Sequence, residues 1–221
     1  VTVEASSANG ATASSDLTTT AEVVPVEPMA RLAVGHLAPF AMDPGTAVTV
    51  TLNGTAVLTD FMFADSTAYL DIPAGITHTV EIFAAGVVTP AISAQINLME
   101  GMDYTAIAVG GANGWPLELL ALLDDNTAPA AGKFHLRLGH LAPFTDTLTG
   151  TLADIRLQDG TPVITDVPFG AVAPYIPLDA GTYDLKITTP GGAVTLIDPL
   201  PVTFAEGDIV SAFAVGDGVN Q

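Results

Sequence analysis

The chain has 221 residues, 49% of them apolar, which is enough to build one large or two small domains around a sizeable core. Its 24 acidic and five basic residues give a net charge of −19, which repels phosphate backbones and anionic lipid heads, so we expect no nucleic-acid partner. No apolar run approaches the ~20 residues of a membrane-spanning helix, which predicts no membrane insertion, and the absence of cysteine excludes disulfides and thiolate chemistry.

Residues 1–28 form an N-terminal extension with no counterpart in the repeat described below. The stretch LTTTAEVV (17–24) is rich in β-branched residues, which favours a strand. One face of that strand would carry Leu17, Thr19, Ala21 and Val23. The stretch VTVEA (1–5) is a second candidate, with Val1 and Val3 on one face. The Ser/Thr/Ala-rich residues 5–16 equally suit a flexible, disordered spacer, and this alternative stays open.

Residues 29–123 read as a β-sandwich domain. AVTVTL (47–52) alternates apolar and polar residues, and the Asn53-Gly54 pair that follows is a strong hairpin-turn signal. Further short apolar or alternating runs follow, each bounded by Gly, Pro, Asn or Asp: HTVEIFA (78–84), YTAIAVG (104–110) and LELLALL (117–123). None of them carries a convincing helical period, so each predicts a strand.

The second half of the chain repeats the first. GHLAPF occurs at 35–40 and again at 139–144, and EGMDYTAIAVG (100–110) aligns with EGDIVSAFAVG (206–216). Landmarks in the same order at nearly constant spacing indicate a tandem duplication. We therefore predict an all-β protein of two antiparallel, immunoglobulin-like β-sandwiches, with DDNTAPAAGK (124–133) as the linker and 134–221 as the second domain.

The repeated landmarks resemble a tandem β-sandwich domain family of unknown function, whose members occur in secreted and cell-surface bacterial and archaeal proteins. The matching residues are His36, Pro39, Tyr69, Pro73, Ala74, Gly75, Gly101, Tyr104 and Gly110, and then His140, Pro143, Tyr175, Gly181, Gly207 and Gly216. The family often has an acidic residue where this chain has Phe40 and Phe144. The resemblance implies an extracellular, cell-surface β-sandwich without established catalysis. A chain that opens at Val1 without a basic and apolar leader also fits a secreted protein after signal-peptide removal.

The paired histidines of GHLAPF are the most tempting chemical site. His36 and His140 occupy equivalent positions in separate domains, where they would normally lie far apart, whereas a metal site needs three or four converging ligands. We expect both histidines, with Pro39 and Pro143 of the same motif, to be structural and to hydrogen-bond a loop near a strand end. GHLAPF is thus interpreted as one structural element used twice.

The other candidate sites favour non-catalytic readings. No serine lies in a Gly-x-Ser-x-Gly motif, and no Ser/His/Asp set suggests itself, so we expect no enzyme. Asp124, Asp125 and Asn126 offer oxygens of the kind that calcium prefers, but the twelve-residue calcium loop is absent, so a solvated linker is favoured and no cofactor is expected. Trp115 is interpreted as a packing residue, with sugar stacking as the alternative.

The second copy ends before its last strand. The counterpart of Leu117 would be residue 223, beyond Gln221, so the second domain is expected to be one strand short. Such a domain exposes an apolar groove and unpaired backbone groups. A surplus strand at the N-terminus predicts head-to-tail strand complementation between copies of the chain, giving a filament or surface layer. The alternative is a monomeric cell-surface module or adhesin that binds a glycan or protein partner.

Overall fold

The computed structural model describes residues 2–6, 12–16, 27–42 and 45–219, and the fold is all-β, with about 50% strand and 2% helix. This confirms the predicted fold class. Near the N-terminus, β1 (Thr2–Ser6) and β2 (Thr12–Asp16) pair antiparallel. No helix in these ranges is long and apolar enough to cross a bilayer.

Domain one is a sandwich of two four-stranded sheets. Its strands are β3 (Met29–His36), β4 (Val48–Leu52), β5 (Thr55–Phe61), β6 (Leu70–Pro73), β7 (Thr77–Ala84), β8 (Ile92–Asn97), β9 (Asp103–Val109) and β10 (Glu118–Asp124). The first sheet has the order β10-β9-β3-β6 and the second has the order β5-β4-β7-β8. The alternation of β7 places His78, Val80 and Ile82 in the core between the sheets.

Local sequence explains most of these elements. The Asn53-Gly54 turn between β4 and β5 has positive φ at both residues, 52° and 79°, as a tight hairpin turn requires. The strands are mainly antiparallel, but β3 and β9 pair in parallel. This pair is a parallel exception within the predicted antiparallel sandwich. The duplication unit begins with β3 and brings its late strand β9 beside it, a non-local pairing that alternation does not encode.

Domain two repeats this plan with interruptions. Its strands are β11 (Lys133–His140), β12 (Ala153–Leu157), β13 (Pro162–Val167), β14 (Ile176–Asp179), β15 (Gly181–Tyr183), β16 (Leu185–Thr188), β17 (Thr195–Ile197), β18 (Val202–Phe204) and β19 (Ile209–Ala214), with a 3-10 turn at Pro190–Gly192. The sheets have the orders β14-β11-β19, β13-β12-β16-β17 and β15-β18. The parallel pair recurs as β11 and β19.

The two domains differ at one edge. In domain one, β10 pairs along the outer side of β9. In domain two, β19 is the counterpart of β9, and among the described residues no strand pairs along its outer side. The backbone donors and acceptors of that edge are therefore unpaired within this part of the chain.

The connection between the domains is shorter than the predicted linker. β10 continues through Asp124, which is 6% exposed, and β11 begins at Lys133. Asp124 is therefore a buried strand residue and not the solvated linker residue that the sequence predicts. Its carboxylate is buried because it pairs with the buried Arg137 of domain two. The connecting segment consists of residues 125–132.

Candidate functional site

The GHLAPF histidines have the same environment in both domains. His36 is 1% exposed and its Nε2 lies 2.9 Å from the carbonyl oxygen of Thr46; His140 is 4% exposed and its Nε2 lies 2.7 Å from the carbonyl oxygen of Thr151. A carbonyl oxygen only accepts, so each Nε2 carries the proton. Each Nδ1 faces the backbone N–H two residues on, at 3.4 Å. Each histidine thus ties the end of the domain's first strand to the loop that follows it.

Burial lowers the pKa of both histidines below 6.5, and the hydrogen bond to the carbonyl opposes this shift. Each ring also stacks on the phenylalanine of its own motif, with centroids 5.7 Å apart for His36 and Phe40 and 5.6 Å apart for His140 and Phe144. Pro39 and Pro143 are fully buried beside them. Neutral, buried imidazoles with both nitrogens engaged have the geometry of a structural brace.

Other chemistry-bearing groups are similarly engaged. The Asn53 side chain contacts His78 Nδ1 at 3.0 Å and accepts the backbone N–H of Thr79, so the glycosylation-like sequence Asn53-Gly54-Thr55 serves a turn. Asp125 accepts the N–H and hydroxyl of Thr127 within its own segment. Across the described ranges, no three His, Cys, Asp or Glu side chains converge as metal ligands.

The two domains pack against each other through equivalent surfaces. One apolar cluster joins residues from both copies: Leu37, Ile107, Val109, Leu120, Leu122, Leu141, Val172, Phe213 and Val215. The duplication pairs three of its domain-one members with three of its domain-two members, such as Leu37 with Leu141. The contact is therefore made largely by like faces of the two copies.

A buried ion pair fixes this domain junction. An Nη of Arg137 lies 2.7 Å from Oδ1 of Asp124, and the two side chains are 4% and 1% exposed. Tyr69 and Thr105 donate their hydroxyls to Oδ2 of Asp124, at 2.7 and 2.6 Å. Burial raises the pKa of Tyr69 to about 12, so its hydroxyl remains a donor. Arg137 also stacks over the Tyr175 ring, at 4.6 Å from the centroid.

The Trp115 loop completes the junction. Trp115 Nε1 donates to the carbonyl oxygen of Thr145 at 2.7 Å, and its ring lies 4.8 Å from that of Phe169. The Asn113 side chain donates to the carbonyl oxygen of Pro143 at 2.7 Å. The sequence favoured a packing role for Trp115, and the partners that it contacts lie on domain two.

The interior of domain two is open. An apolar cavity of about 500 Å³ lies between its sheets, lined from all three by residues that include Leu136, Leu138, Ile155, Tyr183, Ile187, Val202 and Phe204, and by Ala212 of β19. In domain one, Leu117, just before β10, and Leu119, within β10, pack against the corresponding core. We call the opening bordered by β19, Leu200 and Val202 the domain-two groove.

Equivalent residues show that the groove is uncovered. Ile96 in β8 is 7% exposed, whereas its counterpart Val202 is 47% exposed. Ala106 in β9 is 2% exposed, whereas its counterpart Ala212 is exposed. Leu200, which also borders the cavity, is 86% exposed. β10 lies beside β9 and against β8 in domain one, so these are the positions that a strand equivalent to β10 would cover.

The predicted donor residues fall mostly outside the described ranges. Leu17, Thr19, Ala21, Val23 and Val1 lie outside them. Val3 belongs to β1, where it pairs with Ser15 of β2. The Arg137–Asp124 pair was not predicted from the sequence. Arg137 does lie within the strand-like run KFHLRLGH, and a buried arginine needs an acidic partner, so the run contained a signal for the pair.

Comparison with known proteins places the chain in a family. A search of curated proteins found no match. Among solved structures, the Bacillus anthracis TIE protein is 17% identical with a TM-score of 0.25, over 86% of this chain. The chain spans about a third of that protein (34%). The family 41 carbohydrate-binding modules from streptococcal virulence factors are 14% identical with a TM-score of 0.26, over 85% of this chain and 94% of theirs. The family model described as Domain of unknown function (DUF4397) matches residues 30–151 and 149–221, so the chain belongs to that family and carries its domain in tandem.

Proposed function

We propose that this protein is a non-catalytic structural protein of the cell surface or extracellular space, which assembles head to tail by strand complementation. The domain-two groove accepts a β-strand, and residues 17–24 of a second copy donate it. The observation that carries the proposal is the contrast between equivalent positions: Ile96 is 7% exposed, whereas Val202 is 47% exposed. In domain one, β10 covers the equivalent positions, and the domain-two groove has room for a strand in the same place.

The edge of β19 is suited to strand addition. Its residues, IVSAFA, include no proline, so every residue keeps its backbone N–H. An incoming strand gains ladder hydrogen bonds to this edge, and its inward side chains enter the apolar cavity, which supplies affinity. Ala212 is small, like its counterpart Ala106, and leaves room for larger side chains on the incoming strand.

The donor segment can be aligned by spacing with the residues that cover domain one. Leu17 and Thr19 are spaced like Leu117 and Leu119, which pack against the core of domain one, and Ala21 and Val23 are spaced like Ala121 and Leu123, which are exposed there. In domain one, Ala121 pairs with Ala106. The same register places Ala21 opposite Ala212, with the N-terminal part of the segment farther along β19. We therefore assign residues 17–24 to an antiparallel strand beside β19 of a neighbouring copy.

The geometry favours a polymer over a closed pair. The contact between the two domains uses equivalent faces and is already complete within one chain. Strand donation uses different surfaces on donor and acceptor, so the contact is heterologous and each copy keeps one free end. Repetition of this contact produces a filament unless the rotation between copies closes a ring. The acidic surface, with a net charge of −19, keeps such an exposed polymer soluble.

A matched pair of substitutions in the donor tests the proposal. Ala21→Asp places a carboxylate on the face that enters the groove, whereas Thr20→Asp places the same charge on the opposite face. We expect filaments from the wild type and from Thr20→Asp, and monomers from Ala21→Asp, by sedimentation velocity and electron microscopy. A wild type that remains monomeric at high concentration would favour the monomeric adhesin, and equal assembly of the two variants would remove residues 17–24 as the donor.

A further inference from the structure

In domain two, the sheet that faces β14-β11-β19 is interrupted, and the interruption lies across the cavity from the unpaired edge of β19. In domain one, β8 pairs with β7 without a break from Ile92 to Asn97. In domain two, the corresponding strand is divided into β17 and β18, which pair with β16 and β15 respectively. The interruption therefore lies at the rim of the domain-two groove.

A four-residue bulge causes the interruption. The pairings equate Ile197 with Ile92 and Val202 with Ile96. Between these positions domain one has the three residues Ser-Ala-Gln, and domain two has the four residues Asp198–Pro201, with the sequence Asp-Pro-Leu-Pro. The extra residue breaks the register, and the two prolines remove backbone donors from the ladder.

The bulge shapes the groove in two ways. It leaves Leu200 86% exposed at the rim while Leu200 still borders the cavity. It also replaces a regular edge with one that is poor in N–H donors, so a strand entering the groove finds a complete set of donors only on β19. In the uninterrupted interior of domain one, the space among Leu32, Val80 and Leu119 is about 30 Å³, compared with about 500 Å³ here.

We propose that the bulge Asp198–Pro201 is the specificity-determining part of the groove: its prolines direct the incoming strand to β19, and Leu200 packs onto that strand. This inference rests on the proposed function. Leu200 then has a role in binding but contributes little to the stability of the unassembled chain, because an 86% exposed side chain has few contacts to lose. Stability and strand capture should therefore respond differently to its replacement.

The absence of native cysteine makes cross-linking a clean test. The parent variant carries Ala21→Cys and Ala212→Cys, which the proposed register places opposite each other between copies, within disulfide reach. Oxidised full-length chains should form a ladder of disulfide-linked multimers on a denaturing gel. Adding Leu200→Ser should reduce the linked fraction at low protein concentration at least about tenfold, the scale expected when a buried leucine contact is lost, with no change in the thermal midpoint.

The control is Val88→Ser, which alters a similarly exposed aliphatic residue (93%) of domain one and should leave the ladder intact. A second variant replaces Asp198–Pro201 with Ser-Ala-Gln and should also weaken the ladder, because the rim loses its bulge. An undiminished ladder in folded Leu200→Ser protein would overturn the role of the bulge while preserving strand donation. Absence of a ladder in the parent variant would overturn both.

Discussion

Replacement of Arg137 by methionine should destabilise the domain junction severely. Arg137 is 3% exposed, and its Nη lies 2.7 Å from the Asp124 carboxylate. The guanidinium also donates to the hydroxyl of Ser211 at 3.0 Å and to the carbonyl oxygen of Leu123 at 3.2 Å. Removal of one partner from a buried ion pair costs about 3–5 kcal/mol, because the remaining charge is left uncompensated. That is a large part of the 5–15 kcal/mol by which folded proteins are typically stable.

A second substitution separates the lost pair from lost packing. Asp124→Asn removes the orphaned charge but keeps an oxygen to accept the hydroxyls of Tyr69 and Thr105. The double variant with Arg137→Met should therefore be more stable than Arg137→Met alone, with a coupling free energy of about 1–3 kcal/mol.

Urea unfolding measures these free energies, and the fluorescence of Trp115, the single tryptophan, reports on the junction. Arg31→Met is the matched control, because Arg31 pairs with Asp103 and stacks over a tyrosine, but its side chain is 51% exposed. We expect little or no change for that exposed pair. A loss below about 1 kcal/mol for Arg137→Met, or strict additivity in the double variant, would show that the Arg137–Asp124 pair does not stabilise the junction.

Three further predictions test individual contacts. Burial lowers the pKa of His36 and His140 in the folded chain, so the unfolded chain takes up protons first as the pH falls below about 6.5. The free energy of unfolding should therefore decrease between pH 7 and 5. Replacement of both histidines by Gln should flatten this pH dependence in urea titrations. Trp115→Phe should lower the free energy of unfolding by about 0.5–1.5 kcal/mol for its lost hydrogen bond and leave glycan-array binding unchanged; Trp-dependent glycan binding would support the adhesin alternative. Gly110→Ala should lower the thermal midpoint far more than Gly54→Ala. Both glycines have positive φ, but only at Gly110 would a Cβ lie 1.9 Å from a carbonyl oxygen, that of Pro116. Equal decreases in the thermal midpoint would contradict this close contact.

Sequence patterns predicted the sandwich because the signals for its strands are local. Alternation in β7 and the Asn53-Gly54 turn act over a few residues, so they can be read directly from the chain. The run LELLALL indicates not only a strand but also burial of both of its faces. It is apolar on both faces, and in the structure Leu119 packs into domain one whereas Leu120 and Leu122 face domain two.

The junction and the groove rim could not be predicted in the same way. Asp124 was assigned to a solvated linker because an acidic pair beside Asn and Thr is typical of loops. Its burial depends on Arg137 arriving from the next domain, which is a tertiary contact. The bulge Asp198–Pro201 did leave a signal, since alternate prolines in a strand-like stretch mark an edge or a break. Its place beside the unpaired β19 emerges only from the sheet order.

Cryo-electron microscopy of the chain at high concentration is the decisive measurement for strand complementation. We expect filaments in which a fourth, antiparallel strand lies beside β19 (Ile209–Ala214), with density that traces to residues 17–24 of the neighbouring copy. The inward side chains of that strand should cover Val202 and Leu200. Monomeric particles, or filaments in which the outer edge of β19 remains unpaired, would contradict strand complementation.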